Sequence, residues 1–408
     1  MTLKNIKKIL VIKLRHIGDV LLSAPVFRAL RQSFPDAHVS ALVNSGTETV
    51  LAGNPFIDNI IVFDREIKKM NLLKRYGKEF RFLQDLRAKG FDMTVDLTGG
   101  DRAAIISFFS GAIYRLGWRP DKGFAGKKHL YTHLSDPDGS KHMVLQNLAI
   151  VGKFGIRAED TSVDFHIPEA DRQYVRQILE QYNINTKDTV LHLHPTSRWL
   201  FKCWTDEQMA DVIAWLLGQG IFVIVTSSPD ERELAKAKRM LNLVHASCFT
   251  LHDSRFTLHD SRLIDLCGKT TIKQLGAIAE RANLFFGVDS APMHIAAALN
   301  TPVVALFGPS GAFSWGPWEN NSSEFVVRST THGQRLVLRS PEFKAPYPEQ
   351  NGIQIFGRHT VIQREWDCIP CGKDGCKGTK KSRCLEEVTP EEVKGILSEK
   401  LRITITHA

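Results

Sequence analysis

Short Val- and Ile-rich runs alternate with helical patterns, and Gly, Pro and Asp mark the turns between them. That rhythm restarts after His166-Ile167-Pro168. Together these features predict an α/β protein of two doubly wound, Rossmann-like domains facing each other across a cleft. In the first half, Ile9–Leu14 reads as a buried strand, followed by a turn and a helix over about Leu21–Ser33. Val39–Val43, Ile60–Phe63 and Met93–Leu97 read as the next strands. In the second half, Thr189–Leu193, Ile221–Thr226, Leu263–Cys267, Leu284–Val288 and Val303–Phe307 read as strands, with helices over Asp206–Leu217 and Asp230–Leu241. A last helix over Thr389–Leu401 opens on the capping run Thr389-Pro390-Glu391-Glu392. The expected domains are 1–165, 166–388, and a C-terminal helix and tail over 389–408. Parallel sheets of this kind bind ligands at the carboxyl ends of their strands.

The 408 residues suffice for two or three domains at roughly 150 residues each. Hydrophobic residues make up 43% and charged residues 24%, which excludes a mainly disordered or fibrous chain. The formal charge of +9 suits an anionic partner. No C2H2 or RNP signature is present, so nucleic acid is not the expected partner. No apolar run approaches the ~20 residues that span a bilayer, and Lys13 cuts the first apolar stretch, so a cytoplasmic protein is expected. The charge is uneven: Arg65–Lys89 holds nine Lys or Arg and three acids, together with Leu72, Leu73, Phe80, Phe82 and Leu86. Such a stretch fits an anionic membrane or an acidic ligand, or a solvated helix face with its other side in the core. The seven-residue unit FTLHDSR occurs twice, over 249–255 and 256–262, and reads as a duplication in a surface loop.

Three turns carry candidate chemistry. The first is Lys13-Leu14-Arg15-His16-Ile17-Gly18-Asp19. It lacks the G-x-G-x-x-G fingerprint, which disfavours a dinucleotide site. Gly18 admits close backbone approach. Asp19, at a helix start, is either an N-cap or a base, and spacing alone favours the cap. The second turn is His194-Pro195-Thr196-Ser197-Arg198, followed by Lys202 and Trp204. Its hydroxyls, backbone N–H groups and lysine after a strand suit a phosphate. The third, Gly287-Val288-Asp289-Ser290-Ala291-Pro292-Met293-His294, again places small residues and a helix N-terminus at a strand end.

The segments RHIGDVLLSAPVFRAL, HPTSRWLFKCWT and GVDSAPMHIAAALNTPVVALFGPS, with YRLGW and KHMVLQNL, resemble the ADP-heptose:lipopolysaccharide heptosyltransferases of glycosyltransferase family 9. The likeness runs over roughly Ile9–Asn320 and the cysteine-containing tail, and is nearest to the heptosyltransferase III branch. It implies a GT-B fold and an inverting, metal-independent transfer of heptose from ADP-heptose to the lipopolysaccharide inner core, the third heptose favoured. No cofactor is implied beyond the donor substrate. The implied partners are the nucleotide sugar, the lipid A-core acceptor and the cytoplasmic face of the inner membrane of a Gram-negative cell.

The resemblance makes Asp19 the general base rather than a cap. Arg15, His16 and Gly18 fall on the acceptor side. Lys202, Thr196 and Ser197 correspond to the diphosphate-binding groups and Asp289 to the donor-sugar ligand. Ser290, Ala291 and His294 stand beside Asp289, and Asp230 corresponds to the ribose-binding acid. The alternatives are a family 9 enzyme with another nucleotide sugar or glycan acceptor, or an inactive sugar-nucleotide-binding paralogue.

Four of the seven cysteines cluster as Cys368-x2-Cys371-x4-Cys376-x7-Cys384. Four thiolates suit zinc or an iron–sulfur cluster, but the second pair departs from the C-x2-C spacing of a zinc ribbon. Reduced structural cysteines near the last helix are the favoured reading, with no metal in the catalytic site.

Overall fold

The computed structural model describes residues 3–249, 261–320, 324–328, 335–339 and 352–402. The chain divides into two compact units, Met1–His166 and Ile167–Ala408.

The first unit runs β1 (Lys8–Lys13), α1 (Ile17–Leu21), α2 (Ala24–Ser33), β2 (His38–Asn44), β3 (Asn59–Phe63), α3 (Leu72–Ala88) and β4 (Met93–Asp96). It continues with α4 (Asp101–Phe109), β5 (Tyr114–Trp118), β6 (His133–Ser135) and α5 (Met143–Gly152). Its six strands are parallel in the order β3-β2-β1-β4-β5-β6. Ile9–Ile12 is fully buried, as a β-branched run between two helical layers must be. The strand order reverses direction between β1 and β4, which makes their carboxyl ends the ligand-binding point of such a sheet. The helix expected over about Leu21–Ser33 is α2, which starts at Ala24, and a separate short helix, α1, precedes it. The Ser23 hydroxyl donates to the Val20 carbonyl at 2.6 Å, and Pro25, in the first turn of α2, has no N–H to continue α1.

The second unit runs α6 (Glu169–Gln181), β7 (Val190–His194), α7 (Asp206–Gly218), β8 (Phe222–Val225), α8 (Glu231–Phe249), β9 (Leu263–Asp265), α9 (Ile272–Arg281) and β10 (Leu284–Val288). Then come α10 (Ala291–Ala298), β11 (Val303–Leu306), α11 (Ala312–Trp315), β12 (Glu324–Arg328), β13 (Arg335–Arg339), β14 (Ile353–Phe356), β15 (His359–Ile362), α12 (Arg383–Glu386) and α13 (Pro390–Leu401). The series β9-β8-β7-β10-β11-β15 is parallel and repeats the order of the first sheet, with the reversal now between β7 and β10. Beyond β15, strands β14, β12 and β13 add an antiparallel edge that the βα rhythm does not predict. The duplicated heptapeptide lies, over 250–260, outside the described residues.

The last helix is part of the second unit. Lys394 pairs with Asp211 of α7 at 2.8 Å, and the buried indole of Trp204 donates to the Val388 carbonyl at 3.1 Å. The expected cap is there: the Thr389 hydroxyl accepts from the Glu392 N–H, and the Glu392 carboxylate accepts from the Thr389 N–H.

Candidate functional site

In the second unit, the reversal point carries the polar groups singled out in the sequence. The β7 strand ends at His194, and Pro195–Cys203 loops back over its tip, with a 3-10 turn at Leu200–Lys202. Gly287 of β10 lies opposite His194, and a Cβ there would stand 2.6 Å from the His194 carbonyl oxygen. The glycine therefore lets β7 and β10 close together at the site. The Lys202 ammonium meets the Asp289 carboxylate at 2.6 Å, joining the β7 loop to the end of β10. Ser290 follows as the extended cap residue of α10, with Ala291 and Pro292 opening the helix and His294 buried within it.

Thr196 is fully buried and donates to Glu233 at 2.8 Å, and Ser228 donates to the other oxygen of that carboxylate at 2.9 Å. Ser197 is buried beside it, its hydroxyl accepting the Trp199 N–H at 3.5 Å. Below this layer Thr226 bridges His192 (2.8 Å) and His194 (2.9 Å). Burial holds both imidazoles neutral: that of His194 is pushed down to about 3, and that of His192 well below its usual value. Asp230 is held by Arg232. Its carboxylate takes the Arg232 N–H at 3.0 Å and the Arg232 guanidinium at 3.1 Å, which keeps its carboxyl below the ordinary carboxylate range.

In the first unit, the β1 turn meets the end of β4. His16, not Asp19, is the cap residue of α1, with no side-chain cap bond. Asp19 is the third helical residue, so the cap reading of this carboxylate does not hold. Arg15 reaches the Thr98 carbonyl at 3.0 Å, and Gly18 sits in the first turn of α1.

Behind the turn lies a polar network missed in the sequence. The buried Lys13 ammonium donates to the Leu97 carbonyl at 2.9 Å and to Asn147 Oδ1 at 3.1 Å. Burial pushes it down to about 8, while the Asp19 and Asp96 charges pull it upward. The Asp96 carboxylate, fully buried, accepts from Tyr131 Oη at 2.6 Å and from the Thr98 and Gly99 N–H groups at 2.7 and 3.2 Å. Burial raises its carboxyl despite those bonds. One signal was present: a lysine ends an otherwise apolar strand.

The four clustered cysteines form no disulfide. Cys368 is exposed, Cys371 and Cys376 are half-buried, and Cys384 is buried. Burial, and then the neighbouring Cys376, Cys371 and Cys368, push the Cys384 thiol up to about 12. Among the described residues, no group of three or more His, Cys, Asp or Glu is arranged to hold a metal ion.

The model of the family described as glycosyltransferase family 9 (heptosyltransferase) matches residues 79–344. Lipopolysaccharide heptosyltransferase 3 of Escherichia coli is 31% identical over 313 residues, 76% of this chain and 86% of the relative. Lipopolysaccharide heptosyltransferase 2 of E. coli K12 is 23% identical over 311 residues, 74% of this chain and 83% of that protein. Among solved structures, E. coli ADP-heptose lps heptosyltransferase II has a TM-score of 0.68 at 19% identity, covering 97% of this chain and 98% of that one. Fold and relatives together define a glycosyltransferase of the GT-B class. The chain belongs to glycosyltransferase family 9, the heptosyltransferase family.

Proposed function

We propose that this enzyme transfers L-glycero-D-manno-heptose from ADP-heptose to the inner core of lipopolysaccharide with inversion, adding the third heptose. The observation that carries this reading is the 31% identity, over 86% of its length, to a protein named lipopolysaccharide heptosyltransferase 3. The second unit takes the donor. As ADP leaves, negative charge grows on the diphosphate, and the Lys202 ammonium, the Thr196 and Ser197 turn and the N-terminus of α10 at Ser290 and Ala291 stabilise it. Lys202 exchanges Asp289 for phosphate, which releases the Asp289 carboxylate for the hydroxyls of the donor sugar. His294 supports that wall, and Asp230 takes the ribose. In the first unit, Asp19 removes the proton of the attacking acceptor hydroxyl. Arg15, His16 and Gly18 border the acceptor. The enzyme works at the cytoplasmic face of the inner membrane as a peripheral protein.

The test is ADP release and product mass with ADP-heptose and two acceptors, a diheptosyl core and a core lacking the second heptose. Gain of one heptose on the diheptosyl core alone is expected. Transfer to the shorter core overturns the third-heptose assignment, and transfer to neither overturns the donor or acceptor. Asp19→Ala should abolish turnover and leave ADP affinity nearly intact, whereas Lys202→Ala should weaken both. Equal loss of ADP affinity in the two variants would overturn the assigned roles.

A further inference from the structure

Helix α3 buries one face and leaves another without cover. Phe82, Leu83 and Leu86 pack into the core of the first unit, where Phe82 meets Phe63 edge-to-face at 5.2 Å. Leu72, Tyr76 and Phe80 recur every four residues on a different face, with Leu73 beside them, and are 64%, 62%, 61% and, for Leu73, 88% exposed. A helix in solvent does not place large apolar groups there without a partner. Helix α4 lies beside α3. Arg102 of α4 bonds Glu79 of α3 at 3.3 Å, and Phe108 and Phe109 close that helix as exposed side chains.

The charge around the stripe is predominantly basic: α3 carries five Lys or Arg against the two acids Glu79 and Asp85. Lys74, Lys78 and Arg81 are exposed and in no ion pair among the described residues. The acid Glu79 is already paired with Arg75 and Arg102. An apolar stripe flanked by unpaired cations matches an anionic bilayer: apolar groups enter the acyl boundary while long basic side chains reach the phosphates. A protein partner would have to supply both a large apolar surface and an excess of acid.

We infer that the outer face of α3 is the membrane-docking surface of this enzyme, with an anionic phospholipid bilayer as its occupant. This deepens the proposed function and rests on its membrane-held acceptor. Docking through the first unit brings the unit that holds Asp19 to the lipid-linked acceptor.

The experiment is co-sedimentation of the full chain with vesicles of phosphatidylcholine alone and with about a third phosphatidylglycerol, at low and high salt. The wild type should bind the anionic vesicles, release in high salt and ignore neutral ones. Leu73→Glu with Phe80→Glu should lower that binding about tenfold or more, with unchanged circular dichroism and thermal midpoint. Lys74→Gln with Lys78→Gln and Arg81→Gln should weaken it and flatten its salt dependence. Turnover of a delipidated core oligosaccharide should be unchanged in both variants, whereas turnover of vesicle-held acceptor falls. Failure of the wild type to bind, equal binding by the Glu variant, or a wild-type dimer that this variant dissociates would each overturn the surface. Absence of turnover on every acceptor, with vesicle binding as expected, would overturn the functional reading and leave the surface standing.

Discussion

His194 shows how a buried imidazole can couple stability to pH through its protonation. It is buried, it shares Thr226 with His192, and its imidazole is held down to about 3. Between pH 6.5 and 3 the unfolded chain holds a proton that the folded chain refuses, so stability falls as pH drops through that window. Denaturant unfolding at pH 6.5 and pH 5 should show a loss of about 2 kcal/mol from this group, with His192 adding in the same direction. His194→Gln should remove that increment.

At this scale the sequence was partly legible. Thr196, Lys202 and Asp289 announced themselves by residue type at the end of a strand. The Lys13–Asn147 and Asp96–Tyr131 bonds join residues 134 and 35 positions apart, and no local pattern carries such pairings. Asp19 shows the limit from the other side, since spacing favoured a cap and the backbone gives that position to His16.

Among elements, β7 and β10 meet at the strand-order reversal of the second unit, and their approach depends on a residue with no side chain. Gly287→Ala would press a methyl group to 2.6 Å from the His194 carbonyl. Overpacking of this kind costs about 1–3 kcal/mol, and here the strain falls where Lys202 meets Asp289. A lowered thermal midpoint together with weaker ADP binding is expected. Loss of stability alone, with ADP affinity kept, would show that the strand ends absorb the methyl away from the site. The parallel strands were legible because buried Val and Ile runs between turn residues leave few alternatives. The antiparallel edge of β12–β14 was not, because it lacks the strand–helix alternation on which the reading depended. The break between α1 and α2 hung on a single hydroxyl–carbonyl bond and a proline.

On the scale of the molecule, the charge of +9 is concentrated in part on α3, so association with a phosphorylated acceptor should be screened by salt. Raising ionic strength from about 0.05 to 0.5 M should raise KM for a vesicle-held acceptor several-fold and change KM for ADP-heptose less. Equal shifts would place the electrostatic contribution at the donor side instead. Two doubly wound units were legible because the rhythm restarts near residue 167, and the division falls at His166–Ile167.

The contacts that tie α13 and the preceding turn to α7 set an order of events during synthesis. The first unit is complete once residue 166 has left the ribosome, and it can fold while the rest is being made. The indole of Trp204 has no partner until Val388 emerges, 184 residues later. At ~5–20 residues per second, that interval lasts roughly 10–40 s. Throughout it, the nascent second unit lacks Leu385, Val388, Val393 and Leu397 from its hydrophobic core, and chaperone capture belongs in this window, on this half of the chain.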